Sequence, residues 1–266
     1  MPPLFDRILQ YLPLPRILSP LPDFLWAVSL GLPPILRAIW SNPSLLFQLK
    51  RLQQLGQYQF WKVFGPEVDK NAAPVKCQLL PWAEGVVFEI GAGHGHSLKY
   101  MTRQQITKYY ALEPNTDMWP GLRKAIMEAG LSEEDGSAVL LPYGAGDIDK
   151  FVEHLGGENK VDTLVSILVF CSVPNTQQVL PTLCERLLKK GGSLLMYEHC
   201  LSPVPSSRLY QRLWTPIWSI VFDGCCLDKD TMTWVNQVKW SDKHVWRKEG
   251  EPEWSLFFHG VGRFIL

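Results

Sequence analysis

Gly85-Val86-Val87-Phe88-Glu89-Ile90 runs straight into Gly91-Ala92-Gly93-His94-Gly95, and this junction decides the fold. A short apolar run that ends on a glycine cluster reads as a buried parallel strand followed by a tight turn. Glycines at 91, 93 and 95 let the backbone reverse and approach a ligand without Cβ clashes. The pattern predicts a helix that opens across His96 to Tyr100, with its N-terminal amides aimed at the turn. Lys108-Tyr109-Tyr110-Ala111-Leu112 then reads as a second strand, and Glu113 at its tip lies 22 residues beyond Gly91. A carboxylate so placed can accept hydrogen bonds from both hydroxyls of a ribose.

Dinucleotide enzymes use the same device, but two details differ here. The spacing is G-x-G-x-G rather than G-x-G-x-x-G, and Glu89 stands two positions before the first glycine. A carboxylate there repels a pyrophosphate and suits a ligand that carries an ammonium and a sulfonium. The pattern resembles motif I of class I S-adenosylmethionine-dependent methyltransferases. The resemblance implies S-adenosylmethionine as cofactor and Glu113 as the ribose-binding acid. It carries cofactor contacts onto Glu89, Gly91, Ala92, Gly93 and Gly95 in the first turn, and onto Glu113, Pro114 and Asn115 after the second strand. It also carries them onto Gly146 and Asp147, at the corner that holds the adenine, and onto Ile167 and Leu168. Asp147 can equally cap the helix that follows it.

The rest of the chain continues the alternation. Val139–Tyr143 reads as strand three, with a helix from Asp147 through Leu155. Val161–Ile167 reads as strand four, past the point where strand order reverses. A helix from Thr176 to Lys190 stops at Gly191-Gly192, strand five covers Ser193–Glu198, and Trp234–Trp240 with Phe257–Leu266 read as the final pair. The expected fold is α/β and Rossmann-like: seven strands, mostly parallel, with helices on both faces and an N-terminal helical, hydrophobic extension. Residues 1–75 form that extension and residues 76–266 the methyltransferase domain.

Lys+Arg and Asp+Glu are both 26, and a net charge of +0 argues against a nucleic-acid partner. The six cysteines form no Cys-x-x-Cys pair, so spacing gives no reason to expect a metal site. Reduced, mostly buried thiols place the chain inside the cell.

Leu, Pro and Trp dominate the first 40 residues. The most apolar run, Phe24 to Leu36, has thirteen residues and contains Pro33 and Pro34, which makes it short for a spanning helix. Two readings stand: residues 1–40 make peripheral contact with a membrane such as the endoplasmic reticulum, or they fold over the pocket of a cytoplasmic protein. From Asn42 to Phe64, Leu45, Leu46, Leu49, Leu52, Leu55 and Tyr58 recur at three or four, predicting an amphipathic helix whose apolar stripe packs into the core.

Three further segments narrow the family: Leu168-Val169-Phe170-Cys171-Ser172-Val173, then Glu198-His199, then Phe222-Asp223-Gly224-Cys225-Cys226-Leu227. In that order they resemble the animal methyltransferase-like proteins that act as alkyl thiol S-methyltransferases and carry a methyltransferase type 11 domain. The resemblance covers Val86 to Trp234 and implies a membrane-associated enzyme that methylates a small lipophilic thiol. His94 and His96 depart from it, since small residues are usual in that loop. A hydroxyl, amine or carbon acceptor on a hydrophobic metabolite or quinone is the alternative, and a hydroxyl would need a general base. His199 is the candidate base, Asp223 the group that orients it or takes its proton, and Cys171 a lining residue of the methyl-transfer region. Tyr210, Trp214, Trp218 and Phe222 recur every four residues, as core packing or as an apolar wall over the acceptor. A non-catalytic binding protein on the same fold is the third reading, disfavoured by the intact Glu89, glycines and Glu113.

Overall fold

The computed structural model describes residues 16–266, and what the sequence suggests for residues 1–15 lies outside the described residues. The strands are β1 (Gly85–Ile90), β2 (Ile106–Leu112), β3 (Ala138–Leu141), β4 (Val161–Ile167), β5 (Leu188–His199), β6 (Asp242–Trp246) and β7 (His259–Ile265). They form one sheet in the order β3-β2-β1-β4-β5-β7-β6, with β1 to β5 parallel and β7 antiparallel to both of its neighbours. Strand order reverses between β1 and β4, so a crevice opens beyond their C-terminal ends, where open α/β sheets hold ligands.

The helices are α1 (Leu21–Ser41), α2 (Leu49–Leu79), α3 (Trp119–Glu128), α4 (Ile148–His154), α5 (Thr176–Leu187), α6 (Pro205–Val221) and α7 (Thr231–Val235). Alternation along the strands feeds two cores. Phe88 and Ile90 face α4 and α5, while Val87, Tyr109 and Ala111 face α2 and α3. A third cluster, around Phe60, Trp214, Trp218 and Phe222, joins the N-terminal helices to α6.

Several expectations are corrected. No α-helix follows the glycine turn: β1 and β2 are linked by 3-10 turns at Leu98–Tyr100 and Arg103–Gln105. The face that such a helix would cover is taken by α2, whose Ala72, Val75 and Leu79 pack with Leu98 and Met101. Trp234–Trp240 is not a strand. Asp230 caps α7 by accepting the N–H of Thr233, and the strand pairing with β7 is Asp242–Trp246. The predicted Asn42–Phe64 helix is a 3-10 turn, Pro43–Phe47, followed by the longer α2, which runs on through Pro66 and Pro74.

The leucine stripe at the start of that region also faces the other way. Leu46 and Leu49 are exposed and Phe47 is 92% exposed, while Lys50, Gln54 and Gln57 line a cavity. Burial in α2 begins further on, at Gly56, Phe60, Gly65 and Asp69. Pro33 and Pro34 do not break α1, which runs unbroken for 21 residues after a 3-10 turn at Arg16–Leu18, and its most apolar 18-residue stretch has mean hydropathy 1.3. By length and composition alone it is long and apolar enough to cross a membrane.

Candidate functional site

A cavity of about 370 Å³ lies beyond the ends of β1, β2, β4 and β5, roofed by α2 and α6. Gly91, Ala92 and Gly93 line one side of it. Gly91 and Gly93 have φ of +62° and +55°, which favours glycine. A side chain at position 91 would overlap Val169 Cγ2, so the glycine turn and the loop after β4 are packed without room for a Cβ.

Glu113 is buried at the tip of β2. Its Oε2 accepts the N–H of Gly93 at 2.9 Å and its Oε1 that of Asn115 at 2.8 Å. These bonds fix the carboxylate across the mouth of the glycine turn, and each oxygen keeps a free lone pair for a ligand hydroxyl. Burial pushes its pKa up to about 7, against the opposing pull of the Asn115 and Gly93 amides. Glu89 lies deeper, fully enclosed, and its Oε2 accepts the Tyr109 hydroxyl at 2.5 Å. Burial raises its pKa too, offset in part by Tyr109 and Ser97.

Behind it sits an ion-paired cluster: Asp69 Oδ1 meets Lys76 Nζ at 2.8 Å, and its Oδ2 meets Lys99 Nζ at 2.6 Å. Burial alone would raise the Asp69 pKa, but the two lysines bring it below the usual carboxylate value. The lining of this end also includes three buried polar atoms without a hydrogen-bond partner: Gln57 Oε1, His94 Nε2 and His96 Nε2. Burial lowers the pKa of both histidines, so each offers one neutral nitrogen.

This chemistry fits S-adenosylmethionine. A ribose diol meets Glu113, an ammonium answers the buried Glu89, and the unpartnered Nε2 atoms of His94 and His96 are polar groups that a ligand's amino-acid end can meet. Pro114, Asn115, Ile167 and Leu168 line the same cavity. Gly95, Gly146 and Asp147 do not. Gly95, at φ +80°, packs against Ala125. Asp147 accepts the Gly144 N–H at 3.0 Å and pairs with Lys150 at 2.8 Å, which stabilises its own turn.

At the opposite end the loop after β4 begins with Leu168, a non-glycine residue at φ +56°. That conformation costs about 1–3 kcal/mol and must be held from outside. Glu198, fully buried on β5, holds it by accepting the Ser166 hydroxyl at 2.5 Å and the N–H groups of Val169 and Phe170, each at 3.0 Å. The sequence reading gave Glu198 no role, although the Glu-His pair at the end of a strand was the available signal. The reversal turns Cys171 into the cavity.

Phe222-Asp223-Gly224-Cys225 approaches from the other side, with Asp223 and Gly224 at φ +45° and +87°. A bond from Cys226 N–H to Cys171 O, at 2.9 Å, clamps the two loops together. His199, at the end of β5, packs its ring against Phe257 and His259 and has Nδ1 4.0 Å from Cys225 Sγ. Asp223 does not serve it as expected: its Oδ1 is bonded to Lys50 Nζ at 2.6 Å, tying α2 over the cavity. The contact with Cys225 and burial raise the Cys171 pKa well above that of a free thiol. Trp218 and Phe222 stack 3.9 Å apart and, with Phe257, Phe60 and Phe64, make this end aromatic.

Residues 68–237 match the family described as a methyltransferase domain. The chain is 28% identical over 160 residues to thiol S-methyltransferase TMT1B of Rattus norvegicus, covering 60% of this chain and 61% of that protein. It is 26% identical over 172 residues to thiol S-methyltransferase TMT1A of Homo sapiens, covering 64% of this chain and 66% of that protein. The chain therefore spans less than two thirds of the length of these curated relatives. Among solved structures it superposes on an O-methyltransferase family protein from Burkholderia thailandensis with a TM-score of 0.59 at 14% identity. That match covers 87% of this chain and 70% of the other, and speaks for the fold alone.

Proposed function

The chain belongs to the family of methyltransferase domains, and we propose that it moves the methyl group of S-adenosylmethionine onto the sulfur of a small lipophilic thiol. One observation carries this reading. A single cavity joins the Glu113–Gly93 end, which suits a nucleoside, to an aromatic end lined by Trp218, Phe222 and Phe257. S-adenosylmethionine, when bound, supplies a methyl group on a sulfonium, whose departure leaves a neutral thioether. The protein's own part is positioning and the exclusion of water. Gly91 and Gly93 bring backbone close to the donor, Glu113 orients its ribose, and the aromatic rings desolvate the acceptor. A thiol needs no strong base, because its ordinary pKa of about 8.5 leaves some thiolate at neutrality.

A hydroxyl acceptor is the second reading, favoured by His199, which lies in the same cavity and is only partly buried. Methyl transfer from labelled donor to butanethiol, a phenol, a quinol and an amine separates the two. Transfer to the thiol alone is expected; faster transfer to the phenol or quinol would move the assignment to oxygen.

We further propose that the protein works at a membrane surface. α1 and the turn after it expose Leu25, Leu32, Leu36, Trp40 and Phe47. α6, which packs on α1 through Phe24 and Trp214, exposes Leu209, Leu213, Ile217 and Ile220 along its outer side. Exposed apolar side chains on two helices that pack together suit the interfacial region of a bilayer.

A further inference from the structure

The acceptor end of the cavity brings together three soft ligand atoms from three distant parts of the chain. Cys171 comes from the loop after β4, His199 from the end of β5 and Cys225 from the turn after α6. Their ligand atoms all lie within 4.8 Å of one another, and Nδ1 of His199 stands 4.0 Å from Cys225 Sγ. Tetrahedral zinc with two thiolates and an imidazole sets its ligand atoms roughly 3.5–3.8 Å apart, so a contraction of a few tenths of an ångström up to about 1 Å closes the set.

We propose that Cys171, His199 and Cys225 bind a zinc ion whose fourth position is left for the acceptor thiol. Four features support it. The ligand set, two sulfurs and one imidazole, is the kind that catalytic zinc uses with one position open. Two thiolates cancel the charge of a divalent ion, which suits a cavity walled by Trp218, Phe222 and Phe257. All three residues line the cavity, so the remaining position faces the space where the acceptor must lie. Both cysteine loops are also held in place before any metal arrives, one by Glu198 and both by the Cys226–Cys171 backbone bond.

The site rests on the thiol reading and gives it a mechanism. A zinc-bound thiol loses its proton to solvent at neutral pH, because the cation stabilises the thiolate. A lone pair of that sulfur then forms the new S–CH3 bond as the C–S bond of the donor breaks. The breaking pair stays on the donor sulfur, leaving one thioether product, one neutral nucleoside thioether and one released proton. Discrimination against alcohols follows, since a soft sulfur ligand suits this ion better than a neutral hydroxyl.

The test is metal content of the full chain purified without chelator, alongside cobalt(II) titration of metal-free protein. About one equivalent of zinc is expected, lost in Cys171→Ser and Cys225→Ser and retained in Cys77→Ser, whose cysteine is exposed and elsewhere. Cobalt(II) should give a thiolate charge-transfer band that shifts on addition of butanethiol and not of butanol. No uptake of either metal, uptake that survives both serine variants, or a Cys171–Cys225 disulfide in the reduced preparation overturns the site. Should a serine variant fail to fold by circular dichroism, the cobalt band of the unaltered protein still decides. Thiol methylation at full rate by metal-free protein overturns the zinc-bound acceptor and leaves the thiol reading standing. A bound metal with methylation of phenols only removes the thiol reading and leaves the site.

Discussion

Glu113 accepts the backbone N–H of Gly93 at 2.9 Å, so the acid at the end of β2 is fastened to the glycine turn at the end of β1. Its pKa, pushed up to about 7 by burial, makes ligand binding sensitive to pH. A ribose diol donates to the ionised form, so binding should be full above pH 7 and weaken as pH falls, by about tenfold per unit at the limit of one linked proton. Calorimetry with 5′-methylthioadenosine, which has the ribose and lacks the amino acid, reads this without interference from the donor's own ammonium. Glu113→Gln should bind more weakly at pH 8 and show a flat profile; a wild-type profile that is flat from pH 8 to 6 would sink the assignment.

The two glycines of the turn should differ in cost. Gly93→Ala meets only its own positive φ, with the nearest atom, Met118 Sδ, 3.8 Å from the new Cβ, and should lose about 1 kcal/mol. Gly91→Ala adds an overlap with Val169 and should lose about 2–4 kcal/mol, together with the register of the loop that carries Cys171. Urea denaturation of the two variants gives the ranking, and equal losses would show that the Val169 contact relaxes freely.

Replacing Glu198 by Ala leaves the N–H groups of Val169 and Phe170 without their acceptor and Leu168 in an unsupported left-handed turn. Each unpaired buried amide costs about 1–3 kcal/mol, so the variant should lose roughly 2–5 kcal/mol of stability. Methyl transfer should fall even where the variant is folded, because Cys171 is displaced. A variant with native stability and unchanged turnover would show that the loop is held by something else.

The outer side of α6 offers a clean test of the membrane proposal. Leu213 and Ile217 are exposed, so Leu213→Glu/Ile217→Glu should leave the melting temperature nearly unchanged. Flotation with phosphatidylcholine vesicles should recover the full chain and lose this variant. Equal flotation of both proteins would confine any contact to other parts of the chain.

Much of the donor end was legible in the sequence because it is local. β1, the glycine turn, β2 and Glu113 follow one another within 30 residues, and alternation of short apolar runs with turns dictates a parallel sheet. The matched family and the seven-stranded order agree with that reading. The sequence by itself therefore determined the methyltransferase fold.

Tertiary structure decided the rest, for one physical reason: Cys171, His199 and Cys225 are 26 to 54 residues apart in sequence and meet only because the ends of β4 and β5 converge with the turn after α6. No spacing rule connects Cys171 with His199 and Cys225, or Lys50 with Asp223. Propensity also misjudged α2. Its leading leucines looked like a core stripe, yet burial is set by what the helix covers: α2 displaces the helix expected after the glycine turn and turns Lys50, Gln54 and Gln57 toward the cavity. Periodicity reports that a face exists. Only packing shows which face is inside.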